Sequence, residues 1–304
     1  MDQIKGHPLY RKHNMDSAMN ALWEFYRTRF VALFIISLVM SCITQYATMF
    51  IDLKSIQSMT DPALIVEKLK SYLVPIVILM VVSLFLSTIL HYYILHKPVN
   101  SSENIFKAIY KSLRYFIPYL IIMVIFAFVA SIGIVLGVFV VIIGAFFALN
   151  YFIMISFFLL PIMMAEEANI GTTIARSVKL AHKNFWPNMG WTAVFIILYF
   201  VISLVLSGIV LLPFAGSFIK TFANPQDTSS IMNLPKDPIF LLLSSAVNAL
   251  TLPLFPIFAY IMYFNGRASE ENVVILSESE KKEPKVTVED LYAKPREENN
   301  FDSK

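Results

Sequence analysis

Charge is what this sequence has least of. Asp, Glu, Lys and Arg make up 15% of the 304 residues, where soluble domains carry about 25%. None of the four occurs in the 51 residues from Tyr115 to Ala165. Cysteine is almost absent too: Cys42 is the only one and lies in an apolar stretch. That excludes an intramolecular disulfide and a thiolate metal cluster, and makes redox chemistry a poor expectation. Signatures of catalysis are missing. There is no His-Glu-x-x-His, no phosphate loop and no Gly-x-Ser-x-Gly. No acid lies well inside an apolar run, which removes an intramembrane aspartyl protease and the usual acid of a proton-coupled carrier. The chain is expected to be non-enzymatic, with no cofactor and no metal. Its net charge of +3 is too small to suggest nucleic acid as a partner. The N-terminus also lacks the apolar core of about 7 to 15 residues found in a cleavable signal, so the first apolar run is expected to stay in the mature protein.

What is abundant is apolar surface: 57% of the residues, among them 26 Phe. A helix needs about 20 apolar residues to cross a hydrocarbon core roughly 30 Å thick. The charge-free block is too long for one crossing and fits two, joined by a turn between Gly137 and Gly144. The fold expected is all-α, a polytopic bundle of six transmembrane helices at about 30–51, 72–95, 115–137, 144–165, 191–212 and 238–264, with amphipathic surface helices beside them. Residues 1–29 form an amphipathic N-terminal segment, 30–265 the membrane domain, and 266–304 a charged tail too poor in large apolar residues to fold alone.

Three polar segments share a pattern. In the first, Ala18, Ala21, Leu22, Phe25 and Tyr26 recur at helical spacing behind Asp16 or Ser17 as cap. In residues 97–114, Ile105, Ile109 and Leu113 lie on one face after Ser101, Ser102 and Glu103. In residues 166–190, Ile174, Val178 and Ala181 follow Thr172 or Thr173. Each segment precedes a span, so a surface helix plus a hairpin, three times over, is the expected unit. Of the other loops, Asp52–Ser71 is read as polar with a turn or two of helix from Pro62 to Leu69 on an Asp61 cap. Ala215–Asp237 is read as irregular. Pro253 and Pro256 each remove a helical hydrogen bond, so the sixth span should kink or break.

Lys and Arg give the orientation. With the N-terminus inside, 19 of the 24 fall in inner segments, which by the positive-inside rule puts both termini in the cytoplasm of a bacterial inner membrane. In the fourth span and the third inner segment, Gly144, Pro161, Glu166-Glu167, Ala175, Ser177, Leu180, Asn184-Phe185-Trp186 and Gly190 carry a family pattern. So does the final exit, Tyr263-Phe264-Asn265-Gly266-Arg267 with Ser269-Glu270. Together these resemble a broad group of bacterial six-span proteins that includes the membrane domain attached to some glycerophosphoryl diester phosphodiesterases, and the whole chain is similar to a hypothetical membrane protein of Bacteroides-type bacteria. The resemblance implies architecture. It implies no chemistry, because the phosphodiesterase domain has no counterpart here.

Two kinds of functional position stand out. Gln45, Asn150, Asn248 and Thr251 are neutral polar residues inside spans. They read either as bonds between helices or, beside Pro253 and Pro256, as the lining of a polar path in a small-molecule or lipid transporter. The second kind comprises contacts at the inner surface. Arg27, Arg29, Lys107, Lys111 and Arg114 can reach anionic headgroups, at about 1 kcal/mol per basic residue. Arg176, Lys179, Trp186 and Arg267 are candidates for lipid or partner contact. Glu166 and Glu167 point about 100° apart on a helix and read as a collar or as ion-pair partners of Arg176 or Arg267. The expected role is a membrane scaffold or auxiliary protein whose partners are membrane lipids and a protein reached through the tail, with the transporter as the alternative. His7 and His13 read as solvated residues of a mobile arm, and His91, Tyr92, Tyr93 and His96 as an interfacial belt.

Overall fold

In the computed structural model, residues 2–48, 61–224 and 233–271 are described; the tail from residue 272 onward, expected to be disordered, lies outside them. The helices are α1 Asp2–Lys5, α2 Met15–Thr28, α3 Phe30–Thr48, α4 Pro62–His96, α5 Ile105–Phe139, α6 Val141–Ala165, α7 Ile170–Lys183, α8 Phe185–Leu211, α9 Ala215–Ala223, α10 Pro238–Thr251 and α11 Leu254–Glu270. Among the described residues there is no strand. Six stretches are long and apolar enough to cross a membrane: α3, α4, α5, α6, α8 with α9, and α10 with α11. The chain is an all-α, multi-pass membrane protein.

Helix starts follow capping chemistry, at different residues from those expected. Asn14 caps α2, accepting from the Ser17 N–H while the Ser17 hydroxyl accepts from the Asn14 N–H. Asn104 caps α5 and Asn169 caps α7. In each case an Asn carbonyl reaches the third helical N–H better than the Ser or Thr nearby. Asp61 does cap α4, but the helix then runs unbroken for 35 residues. The short helix expected in the loop and the second span are one element, about 52 Å long. α5 is likewise a single 35-residue helix, so the second surface segment is continuous with its span. α9 replaces the irregular start of the Ala215–Asp237 loop, leaving Ile219 and Phe222 exposed.

Apolar stripes do not all face inward. In α5 the buried residues are Ala108, Ser112, Tyr115, Tyr119 and Ile122, while Ile109 and Leu113 are exposed. In α7 they are Thr173, Ser177, Leu180 and Ala181, and Val178 is exposed. Lipid tails are as apolar as Leu, so packing of small Ala, Ser and Thr side chains decides which face meets a neighbour. Only α2 follows the soluble rule: Ala18, Ala21, Leu22, Phe25 and Tyr26 are its buried residues.

The centre is α11. It packs on α2, α4, α6 and α7, whereas α10 packs on α3 and α8. Ile257 through Phe264 are each 2% exposed or less. The two helices are separated at Leu252-Pro253, the break foreseen from the prolines. The helix also continues past Gly266, and Ala268 is fully buried, so the folded domain extends beyond the boundary at 265.

The N-terminal arm is a correction. His7 is 3% exposed and His13 4%. His7 Nε2–H donates to the Ile94 carbonyl at 3.1 Å while Nδ1 accepts from the Leu9 N–H at 3.2 Å, and the ring packs against Phe25 and Phe264. The His13 N–H donates to Asn265 Oδ1 at 2.9 Å. These bonds hold the arm against α4 and α11, with both His7 nitrogens occupied in the neutral form. The belt is corrected in the same way, since His91 and Tyr92 are buried.

Two predictions follow from packing and burial. At the α5–α6 turn, centred on Val140, a Cβ on Gly137 would meet the Gly144 carbonyl oxygen at 2.7 Å, and a Cβ on Gly144 would meet that of Gly137. Gly137→Ala and Gly144→Ala should each cost about 1 to 3 kcal/mol by overpacking, seen as a lower thermal midpoint in detergent. Gly190→Ala, with nothing within 4 Å, should be neutral or stabilising. Burial also pushes His7 down to about 4, opposed by its Ile94 bond and assisted by Arg29 and His96. Burial likewise pushes His13 down to about 4, against its bond to the Leu9 carbonyl. Both folded values lie below the free value near 6.5, so stability is complete above pH 6.5 and falls between pH 6.5 and 4. The slope is about 1.4 kcal/mol per histidine for each pH unit. Thermal midpoints from pH 7 to 4.5 should fall accordingly, and His7→Asn with His13→Asn should flatten the profile.

Candidate functional site

A cavity of about 390 Å³ lies inside the bundle where the sixth span breaks. All six spans line it: Met40 and Thr44 from α3, Ser83, Ser87 and His91 from α4, Tyr119 from α5, Ser156 and Phe157 from α6, Tyr199 from α8, and Leu252, Phe255, Pro256 and Ala259 from the last span. No Asp, Glu, Lys or Arg is among them. The walls are largely apolar, with hydroxyls and one imidazole as hydrogen-bonding groups, the make-up of a site for a small organic molecule.

Local geometry fixes these groups. His91 Nδ1 lies 2.9 Å from the Ser87 carbonyl. A carbonyl only accepts, so Nδ1 carries the proton and Nε2 is left as an acceptor. The Tyr260 hydroxyl donates to the His91 carbonyl at 3.1 Å and ties α11 to α4 beside the cavity. The Tyr199 hydroxyl donates to Thr251 Oγ1 at 3.4 Å, and the Tyr26 hydroxyl donates to the Leu250 carbonyl at 2.8 Å, next to the break.

Of the six residues marked for a polar path, Pro256 alone lines the cavity. Thr251 and Pro253 are buried at the break behind it. Asn150 is a bond between helices, its Nδ2 donating to the Met189 carbonyl at 3.1 Å. Asn248 is exposed and Gln45 half-buried, so these amides do not converge. The polar lining sits instead on Ser83, Ser87 and His91, spaced by four along one face of α4. That stripe of polar residues in an otherwise apolar helix is readable in the sequence, where the larger amides are the more conspicuous polar groups.

Charged side chains meet at the end of the bundle that carries the N-terminal arm. Arg176 of α7 pairs bidentately with Glu270 of α11, Nη1 to Oε1 at 2.9 Å and Nη2 to Oε2. Its Nε lies 3.4 Å from Glu166. Arg267 reaches the same two acids, at 3.8 Å to Glu166 and 3.4 Å to Glu270, and the Tyr263 hydroxyl donates to Glu166 at 3.1 Å. Glu166 therefore joins α6, α7 and α11. Glu167 turns away with φ 49° and meets Arg114 at 3.7 Å. Lys111 pairs with the buried Glu103, Lys107 donates to the Ser102 carbonyl, and Lys179 and Trp186 are exposed. Arg27 and Arg29 line a separate crevice. No group of three or more His, Cys, Asp or Glu placed to hold a metal occurs among the described residues.

No family model, no curated protein and no solved structure matches the chain.

The Arg176 cluster is mostly shielded from water, its side chains being 15 to 21% exposed, so removing Arg176 leaves two carboxylates to share Arg267 as their one remaining guanidinium. Arg176→Ala should destabilise by about 3 kcal/mol. Arg176→Lys, which keeps the charge and loses the fork, should recover part of that. Thermal unfolding of the two variants in parallel checks the order.

Proposed function

We propose that this chain is a non-enzymatic, multi-pass protein of a bacterial inner membrane, with both termini cytoplasmic, that handles a small, largely apolar molecule between its helical hairpins. The observation that carries the reading is the cavity at the break in the sixth span, to which all six spans contribute. Its lining selects the chemical class. Hydroxyls and a neutral imidazole suit a ligand with one or two uncharged hydrogen-bonding groups, and the lack of any full charge disfavours an inorganic ion or a strongly charged solute. An interrupted span beside a binding site is a common design in transporters, and the uneven placement of Lys and Arg supports the orientation.

A second reading, a membrane scaffold or auxiliary protein acting on lipid or protein partners through its inner face and tail, is favoured by the ion-pair cluster that makes that face rigid. The resemblance to the six-span group that includes membrane domains of glycerophosphoryl diester phosphodiesterases would fit either reading.

Mass spectrometry of the full chain extracted in mild detergent separates the two. The expected result is a small organic molecule retained near one per chain, with at least a tenfold loss of occupancy in Ser87→Leu with Ser156→Leu, which fills the cavity. Absence of any retained molecule, or equal occupancy in that variant, overturns the cavity reading. The second reading expects a protein partner lost on truncation after Glu271, a cut that leaves Glu270 and the cluster intact.

A further inference from the structure

At the charged end, five cations have an acid beside them. Lys5 meets Glu271, Lys111 meets Glu103, Arg114 meets Glu167, and Arg176 and Arg267 share Glu166 and Glu270. Arg27, Arg29 and Lys97 are among those that have none, and these three stand together. They line one crevice of about 510 Å³ between the α2–α3 joint and the end of α4, and among the described residues none of them has an Asp or Glu partner.

The crevice is lined by cations and hydroxyls and by no carboxylate. Arg29 is half-buried, its guanidinium 4.3 Å from the centre of the Phe25 ring, with Nη1 donating to Thr28 Oγ1 at 3.1 Å. Lys97 Nζ is anchored on the Ser101 and Glu103 carbonyls, both at 2.7 Å, which places its charge without cancelling it. Thr28, Tyr93 and Ser101 add hydroxyls to the wall. Arg29 and Lys97 are half-buried with no counter-charge, which is costly, and with the exposed Arg27 beside them the crevice calls for an anion.

The position of the crevice identifies that anion. Its floor is Phe30, Val31 and Ala32, the first turn of a membrane span, and Phe30 and Val31 are exposed where the bundle meets hydrocarbon. A group seated on Arg27 and Arg29 lies at headgroup depth with an apolar path leading down from it. We propose that the crevice is a binding site for the phosphate of an anionic phospholipid, with Arg27, Arg29 and Lys97 as its counter-charges and the acyl chains lying along Phe30 and Val31. The site is separate from the cavity and does not depend on what fills it.

Native mass spectrometry of the full chain titrated with phosphatidylglycerol and with phosphatidylcholine of the same acyl chains tests this. At least a fivefold preference for phosphatidylglycerol is expected, falling to twofold or less in Arg29→Gln with Lys97→Gln. Arg27→Gln, at an exposed position that folding does not need, should reduce it in the same direction. Lys183→Gln, exposed on α7, should leave it unchanged. Glycerol phosphate at millimolar concentration should not displace the lipid. Equal retention of the two lipids overturns the proposal, as does a preference that survives both crevice variants. Displacement by glycerol phosphate would overturn the lipid and leave a site for soluble phosphate.

Discussion

Pro253 and Pro256 withdraw two backbone donors from the last span, and the helix cannot run straight through them. The consequence is a division of labour within one span. α10, before the break, belongs to α3 and α8; α11, after it, belongs to α2, α4, α6 and α7. No other element in the described residues serves two sets of neighbours in this way. The cavity lies where the two sets part, and the residues of the break itself, Leu252, Phe255 and Pro256, form one of its walls. The same change of direction carries Tyr260 to the His91 carbonyl and brings Arg267 and Glu270 within reach of Glu166 and Arg176.

Much of this architecture was legible because the bilayer imposes it. Span-length apolar runs, the turn between Gly137 and Gly144 and the break at the prolines follow from length, charge and backbone chemistry. Faces were harder to read. In water, the apolar stripe of an amphipathic helix marks its core side, and that rule works for α2, which packs beside α11 at the charged end. It fails for α5 and α7, where Ile109, Leu113 and Val178 turn outward and Ala108, Ser112, Thr173 and Ser177 turn inward, because lipid removes the incentive to hide large apolar side chains. Helix lengths were misjudged for a related reason: a polar flank such as Pro62–Leu69 can continue a span as helix beyond the hydrocarbon, and hydropathy does not register the continuation.

The site was legible in part. Pro256 and the ion-pair option for Glu166 came from residue chemistry alone, since a proline removes a helical hydrogen bond, here in company with Pro253, and an acid at a helix end seeks cations. The burial of His7 could not be seen in an arm of mixed polarity, because it depends on α11 supplying Phe264 and on α4 supplying the Ile94 carbonyl, both distant in sequence. The cavity residues were missed because serine is common in membrane helices as a local bond to the preceding turn. Only their spacing by four, ending in His91, separates a lining from ordinary local bonding.

The claim on which the rest turns is that the break in the last span leaves a hydrated or ligand-filled space inside the bundle, largely apolar with hydroxyls in its wall. Alkylation by N-ethylmaleimide in native membranes tests it most directly, because a thiol reacts only where it can ionise. In a Cys42→Ser background, Ser87→Cys and Ser156→Cys should react readily and be protected when the cavity is occupied. Ser131→Cys, on the exposed face of α5, should stay inert. Cysteines at 87 and 156 that react no faster than at 131, both in native membranes and after any retained molecule has been stripped in detergent, would contradict the account.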